Sequence, residues 1–138
     1  MTHLDRRAVL ALMAGLVASS ALTAPASALD IADYSEENLA KLQAWGKPFL
    51  LDFYASWCVT CAAQQRVLDD LTKAEAKYAA IPIVRVDWDK YGNGELAKSL
   101  AIPRRSTLVL MRGTTELGRL VAETRQDQIA ALLDLAGS

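Results

Sequence analysis

Lys47-Pro48-Phe49-Leu50-Leu51-Asp52-Phe53-Tyr54-Ala55-Ser56-Trp57-Cys58-Val59-Thr60-Cys61 is the stretch from which the fold of this chain is read. Phe49 to Tyr54 is a nearly continuous apolar run of strand formers, the pattern of a central strand covered on both faces. The two cysteines follow at once, three positions apart, and Ala62 to Ala80 is rich in Ala, Leu, Gln, Lys and Glu, with Leu68, Leu71, Ala74 and Tyr78 at helical spacing. The pair therefore opens a helix at a strand-to-helix junction. There the first sulfur meets unpaired backbone N–H groups and the positive end of the helix dipole, which favour thiolate over thiol. The thiolate is the form that attacks disulfides. Asp52 is the anomaly within the apolar run.

The start of the chain reads as an export signal. Arg6-Arg7 precedes the apolar stretch Ala8 to Leu22, and Ala26-Ser27-Ala28 supplies a small-residue cleavage site, which places cleavage after Ala28. About fifteen apolar residues fall short of the roughly twenty that span a bilayer. Asp5-Arg6-Arg7-Ala8-Val9-Leu10 also resembles a twin-arginine signal, although Asp5 and Val9 depart from that pattern, so both the general and the twin-arginine export routes stay open. The expected organisation is a signal at 1–28 and one domain at 29–138, whose 110 residues suffice for one core but not two. The mature part keeps 13 basic and 15 acidic residues with no long run of one sign, which argues against nucleic acid as a partner. Export to an oxidising compartment suits structural disulfides, but a bridge this short closes too small a loop to stabilise much.

The remaining elements follow from local signals. Ser35 caps a first helix with Glu36 and Glu37 in its first turn and Leu39, Leu42 and Trp45 on its apolar side, and Gly46 and Pro48 end it. Ile81 to Val86 is a second buried strand, and Glu95 to Leu100 a short helix after the turn-rich Lys90-Tyr91-Gly92-Asn93-Gly94. Thr107 to Met111 and Glu116 to Val121 flank Arg112-Gly113-Thr114-Thr115 as a hairpin. Thr124 is expected to cap a last helix bearing Ile129, Leu132, Leu133 and Leu135. The order α-β-α-β-α-β-β-α implies an α/β fold with a mixed four-stranded sheet, helices on both faces and room for a short extra N-terminal strand.

In the 47–61 block and in this element order the chain resembles the thioredoxin superfamily, most of all the C-terminal thioredoxin-like domain of DsbD-type thiol:disulfide interchange proteins. Cys-x-x-Cys alone also serves zinc sites; preceded by Trp57, and with Asp52 six residues before Cys58, it becomes a strong signal. One position departs. The family places a cis-proline followed by Thr beside the dithiol, and here Ser106-Thr107 aligns with it without a gap, whereas the competing register uses Ile102-Pro103. A non-proline cis peptide costs about 2.5–4 kcal/mol, so a trans bond between Arg105 and Ser106 is expected.

The resemblance implies that Cys58 is the nucleophile and Cys61, more buried and one turn on, resolves the mixed disulfide. It also implies that Trp57, Arg105, Ser106 and Thr107 line the substrate surface, and it puts Arg85 where the family often carries a Lys that pairs with this Asp; Arg85 reads equally as a strand residue at the sheet edge. A buried carboxylate at Asp52 should titrate above its ordinary range and carry a proton for Cys61, with Arg85 pulling the other way. Arg104 and Arg105 read either as cations flanking the dithiol or as solvated loop charges. Trp45, and with it Trp88, suits a core position. His3 is the only histidine and falls in the signal, which excludes Cys-His catalysis and imidazole ligation in the mature part.

The expected function is an exported, periplasmic thiol:disulfide oxidoreductase acting on protein disulfides, reductive because Val59-Thr60 brings no charge to the thiolate. It is expected to act as a monomer, without a cofactor or metal, and to draw electrons from a membrane thiol reductant of the DsbD type. Two alternatives use the same cysteines: a disulfide isomerase or oxidant, and a module holding metal or an iron–sulfur cluster. A single chain offers that module only two thiolates.

Overall fold

The computed structural model describes residues 31–138, so the expected signal segment lies outside the described residues. Strand β1 (Ile31–Asp33) leads into helix α1 (Glu36–Trp45), strand β2 (Pro48–Tyr54) and helix α2 (Val59–Ala74). Then come α3 (Ala76–Ala79), β3 (Ile83–Asp87), α4 (Trp88–Tyr91), α5 (Glu95–Ser99), β4 (Thr107–Arg112), β5 (Thr115–Val121) and α6 (Gln126–Asp134), closed by a 3-10 turn at Leu135–Gly137. The sheet order is β1-β3-β2-β4-β5. The anticipated short N-terminal strand is therefore present and makes the sheet five-stranded. β1 and β2 run parallel to β3, whereas β4 is antiparallel to both β2 and β5.

Side chains alternate across a strand, and β2 uses this to serve two cores. Leu50 joins Leu68, Leu71, Ile83, Leu108, Leu110, Ile129 and Leu132 on the face covered by α2 and α6. Phe49, Leu51 and Phe53 join Val84, Val86, Val109 and Met111 on the other, closed by Leu39 and Leu42 of α1 and by Trp88. All five residues from Phe49 to Phe53 are buried, as a central strand requires. Alternation puts Asp52 on the α2 face, opposite Arg85 on β3 and Leu108 on β4.

Ser35 caps α1 as expected, its Oγ accepting from the Asn38 N–H at 3.1 Å, and Gly46 ends it at φ +76°. Four expectations are corrected. The long helix breaks at Glu75, whose extended backbone (φ −137°) separates α2 from α3 while its carbonyl accepts from Tyr78 and Ala79. The break turns Tyr78 into the core, where its hydroxyl donates to Asp134 Oδ1 at 2.8 Å. Thr124 does not cap α6, because the Glu123 carboxylate accepts from the Thr124 and Arg125 N–H groups instead. Trp45 is 46% exposed rather than core, at the last position of α1 with Lys47 over its ring. The stretch read as a turn before α5 contains α4, capped by Asp87 through the Asp89 N–H.

Candidate functional site

The dithiol sits where β2 hands over to α2. Cys58 is the N-cap of α2, and its Sγ accepts from the Cys61 N–H at 3.2 Å, taking the place of a capping oxygen. An N-cap group meets orphan N–H donors and the positive helix end, so this sulfur is where negative charge is best tolerated. Both cysteines are free, and they are 4% and 5% exposed. The loop before β4 shields both sulfurs from solvent, and Cys61, one turn into the helix, is the more heavily surrounded by protein.

Ser106 does the shielding. Its Oγ stands 3.1 Å from Cys58 Sγ and 3.1 Å from Cys61 Sγ. Its peptide bonds are trans, in keeping with the sequence, and its backbone is left-handed at φ +61°. That conformation costs a non-glycine residue of order 1–3 kcal/mol and persists only where the surroundings over-determine it. Here they do. The Ser106 N–H donates to the Phe53 carbonyl at 2.7 Å, and the Ser106 carbonyl accepts from the Ala122 N–H at 2.8 Å and from Gln64 Nε2 at 3.1 Å. Gln64, buried on α2 one turn after Cys61, also donates to the Glu123 carbonyl, tying two loops to the helix that carries the dithiol. Thr107 is buried beside it, with its hydroxyl donating to the Arg104 carbonyl at 2.7 Å, so it shapes the loop.

Trp57 forms the rim, 58% exposed, with its indole N–H donating to Asp89 Oδ2 at 2.9 Å. The Arg105 guanidinium stacks on this ring 4.3 Å from its centroid, a cation–π pair next to Cys58. Val59 stands out into solvent beside it. The rim therefore combines apolar surface with one cation, Arg105, and one anion, Asp89, both held on Trp57. Of the two arginines read as flanking charges, Arg105 is placed by the structure at the dithiol, and Arg104 is exposed.

The two thiols are electrostatically unlike. Burial raises the Cys58 thiol, but the bonds to it from Cys61, from the Ser106 hydroxyl, from the Cys61 backbone N–H and from Arg105 outweigh burial and bring it down from 9.0 to about 7. Cys61 is pushed up by burial and by its bond to Cys58. Burial likewise raises Asp52 from 3.8 to about 6, with Arg85 opposing it. Among the described residues no three His, Cys, Asp or Glu side chains converge as metal ligands.

The structure gathers Cys58, Cys61, Trp57, Arg105, Ser106 and Thr107 at one end of the sheet, with Asp52 on β2 beneath α2. Gln64, Glu123 and Asp89 were missed from sequence. A glutamine one turn beyond Cys61, on the side of the helix that bears Leu68, was the available signal for the first.

The thioredoxin family model matches residues 31–135. The thioredoxin of Alicyclobacillus acidocaldarius is 30% identical over 87 residues, which cover 63% of this chain and 79% of that protein. The thiol:disulfide interchange protein DsbD 1 of Pseudomonas aeruginosa is 43% identical over 67 residues, 48% of this chain but only 10% of that longer protein. Among solved structures, Trxlp of Edwardsiella tarda superposes with a TM-score of 0.67 at 29% identity, covering 75% of this chain and 97% of its own. With the fold, the N-capping Cys58 and the matched length in agreement, the chain belongs to the thioredoxin family, a thiol:disulfide oxidoreductase built on Cys58 and Cys61.

Proposed function

We propose that the protein is an exported, periplasmic reductase of protein disulfides. The observation that carries this reading is the inequality of the two thiols: Cys58 caps α2 and, at about 7, is about half ionised at pH 7, whereas Cys61 is held protonated. Cys58 thiolate attacks a substrate disulfide, forming a bond to one substrate sulfur and releasing the other as thiolate. Cys61 then gives its proton to Asp52, attacks Cys58 and releases the second substrate sulfur. Two electrons pass from the dithiol to the substrate, leaving a Cys58–Cys61 disulfide. Trp57, Val59 and Arg105 offer the surface on which the substrate chain rests. The apolar stretch and small-residue site at 8–28 support export. Likeness to a DsbD protein supports a membrane thiol reductant as the electron source.

A Cys61→Ala variant tests the reading, since it should accumulate a stable mixed disulfide through Cys58 when passed over periplasmic extract. A titration of the parent against glutathione should give a potential near thioredoxin's, about −270 mV, and a value above roughly −180 mV would favour an isomerase or oxidant. Cell fractionation with mass measurement should find the protein in the periplasm beginning at Leu29.

A further inference from the structure

We propose that Ser106 is a catalytic residue whose single hydroxyl hydrogen follows the negative charge from Cys58 to Cys61 during one turnover. The inference rests on the dithiol mechanism proposed above and adds a group to it. A hydroxyl carries one donor hydrogen, and its rotor is free to point at either of two acceptors. Ser106 Oγ stands equally far from both sulfurs, at 3.1 Å, so the switch needs rotation about one bond and no movement of heavy atoms.

Two features mark the placement as enforced rather than incidental. Ser106 is fully buried, so no water competes for its hydrogen. Its left-handed backbone is one a non-glycine residue adopts only when held there, and the Phe53 carbonyl, the Ala122 N–H and the Gln64 amide hold it. Proline at this position could neither reach φ +61° nor donate to Phe53. Backbone strain is thus held at the one buried residue whose hydroxyl touches both reacting sulfurs, as strain at functional sites is.

The sequence of events balances without any further reactant. In the reduced protein the Ser106 hydroxyl donates to Cys58 thiolate while Cys61 is a thiol. Attack on the substrate disulfide forms the Cys58–substrate bond, breaks the substrate's own bond and removes the charge from Cys58. As Cys61 loses its proton to Asp52, the Ser106 hydrogen turns to the new Cys61 thiolate. That thiolate forms the bond to Cys58 while the electron pair of the Cys58–substrate bond leaves on the second substrate sulfur. A bond from Ser106 favours the ionised form of each cysteine, in line with a donor that serves both.

Ser106→Gly tests this, because glycine adopts φ +61° without strain and deletes only the hydroxymethyl group. Ser106→Ala is the second variant, and thermal melting reports that each is folded. Two quantities are read: the pH midpoint of Cys58 alkylation by iodoacetamide, and the first-order rate at which Cys61 resolves a preformed mixed disulfide with a cysteine peptide. The expected result for glycine is a midpoint moved from about 7 to about 8, roughly tenfold less thiolate below pH 7, together with resolution slowed about threefold to tenfold. A shifted midpoint with unchanged resolution overturns the two-stage role, and no change in either overturns the proposal outright. A parent protein whose Cys58 titrates like free cysteine and which reduces no disulfide overturns the underlying reading instead.

Discussion

Arg85 Nε stands 3.9 Å from Asp52 Oδ2, too far for a hydrogen bond, and the other carboxylate oxygen of Asp52 has no hydrogen-bond partner among the described residues. The guanidinium instead lies over Tyr54, 3.7 Å from the ring centroid. Asp52 is thus a buried acid with a cation nearby but not in its grip, an arrangement in which desolvation exceeds attraction.

That relationship fixes a pH dependence of stability. The carboxyl titrates at about 6 in the folded protein against 3.8 ordinarily, so its contribution is fully favourable below pH 3.8 and is lost as the pH rises through 6. The loss amounts to at most about 3 kcal/mol. Asp52→Asn should therefore be more stable than the parent at pH 7.5, by about 1–3 kcal/mol in urea unfolding, and should lack the slope between pH 4 and 6. The same variant should resolve mixed disulfides more slowly, having lost the proton acceptor.

Alkylation should discriminate between the thiols. Because Cys58 lies at about 7, its reaction with iodoacetamide should rise through a midpoint near pH 7 and level off above about pH 8, while Cys61 remains unmodified in the folded protein. Peptide mapping after a short pulse measures both. Equal labelling of the two cysteines at pH 7 is the contrary outcome.

Arg105 should tune that midpoint. Its guanidinium is held on Trp57 beside Cys58, so Arg105→Leu keeps the bulk and removes the charge. The midpoint should move to about pH 7.5, and the salt dependence of alkylation should weaken. Stability should change by less than about 1 kcal/mol, as for other partly exposed cation–π pairs. Trp57 fluorescence supplies an independent sign that the stack has gone.

Gln64 should matter to both stability and chemistry although it touches neither sulfur. Gln64→Leu strips amide donors from the carbonyls of Ser106 and Glu123, at a cost of about 1–3 kcal/mol, since buried acceptors lose partners. The Ser106 amide should also gain hydrogen–deuterium exchange, while the strand amides of β2 should not.

The features legible in the sequence are those set by neighbours along the chain. The central strand, the dithiol at a helix start, the Ser35 cap and the hairpin each depend on residues within about one turn or one pleat, and each is where expected. The features that escaped depend on residues far apart. The Ala-, Lys- and Glu-rich stretch through Glu75 has helix-forming composition, and only the fit of Tyr78 to Asp134, 56 positions away, gives a reason to interrupt it. Glu123 rather than Thr124 holds the entry to α6 because its carboxylate also clasps Arg125. The left-handed Ser106 is imposed jointly by residues 53, 64 and 122, which no local pattern could reveal.

The parallel pairing of β1 with β3 carries a practical corollary. Ile31 lies beside Ile83, where β3 begins, while the sulfurs follow Tyr54, which lies beside Asp87 where β3 ends. Polypeptide fused ahead of Ile31 thus departs from the pole remote from the reactive face. Beads or surfaces coupled through that side would leave bulky clients an unobstructed approach to Cys58.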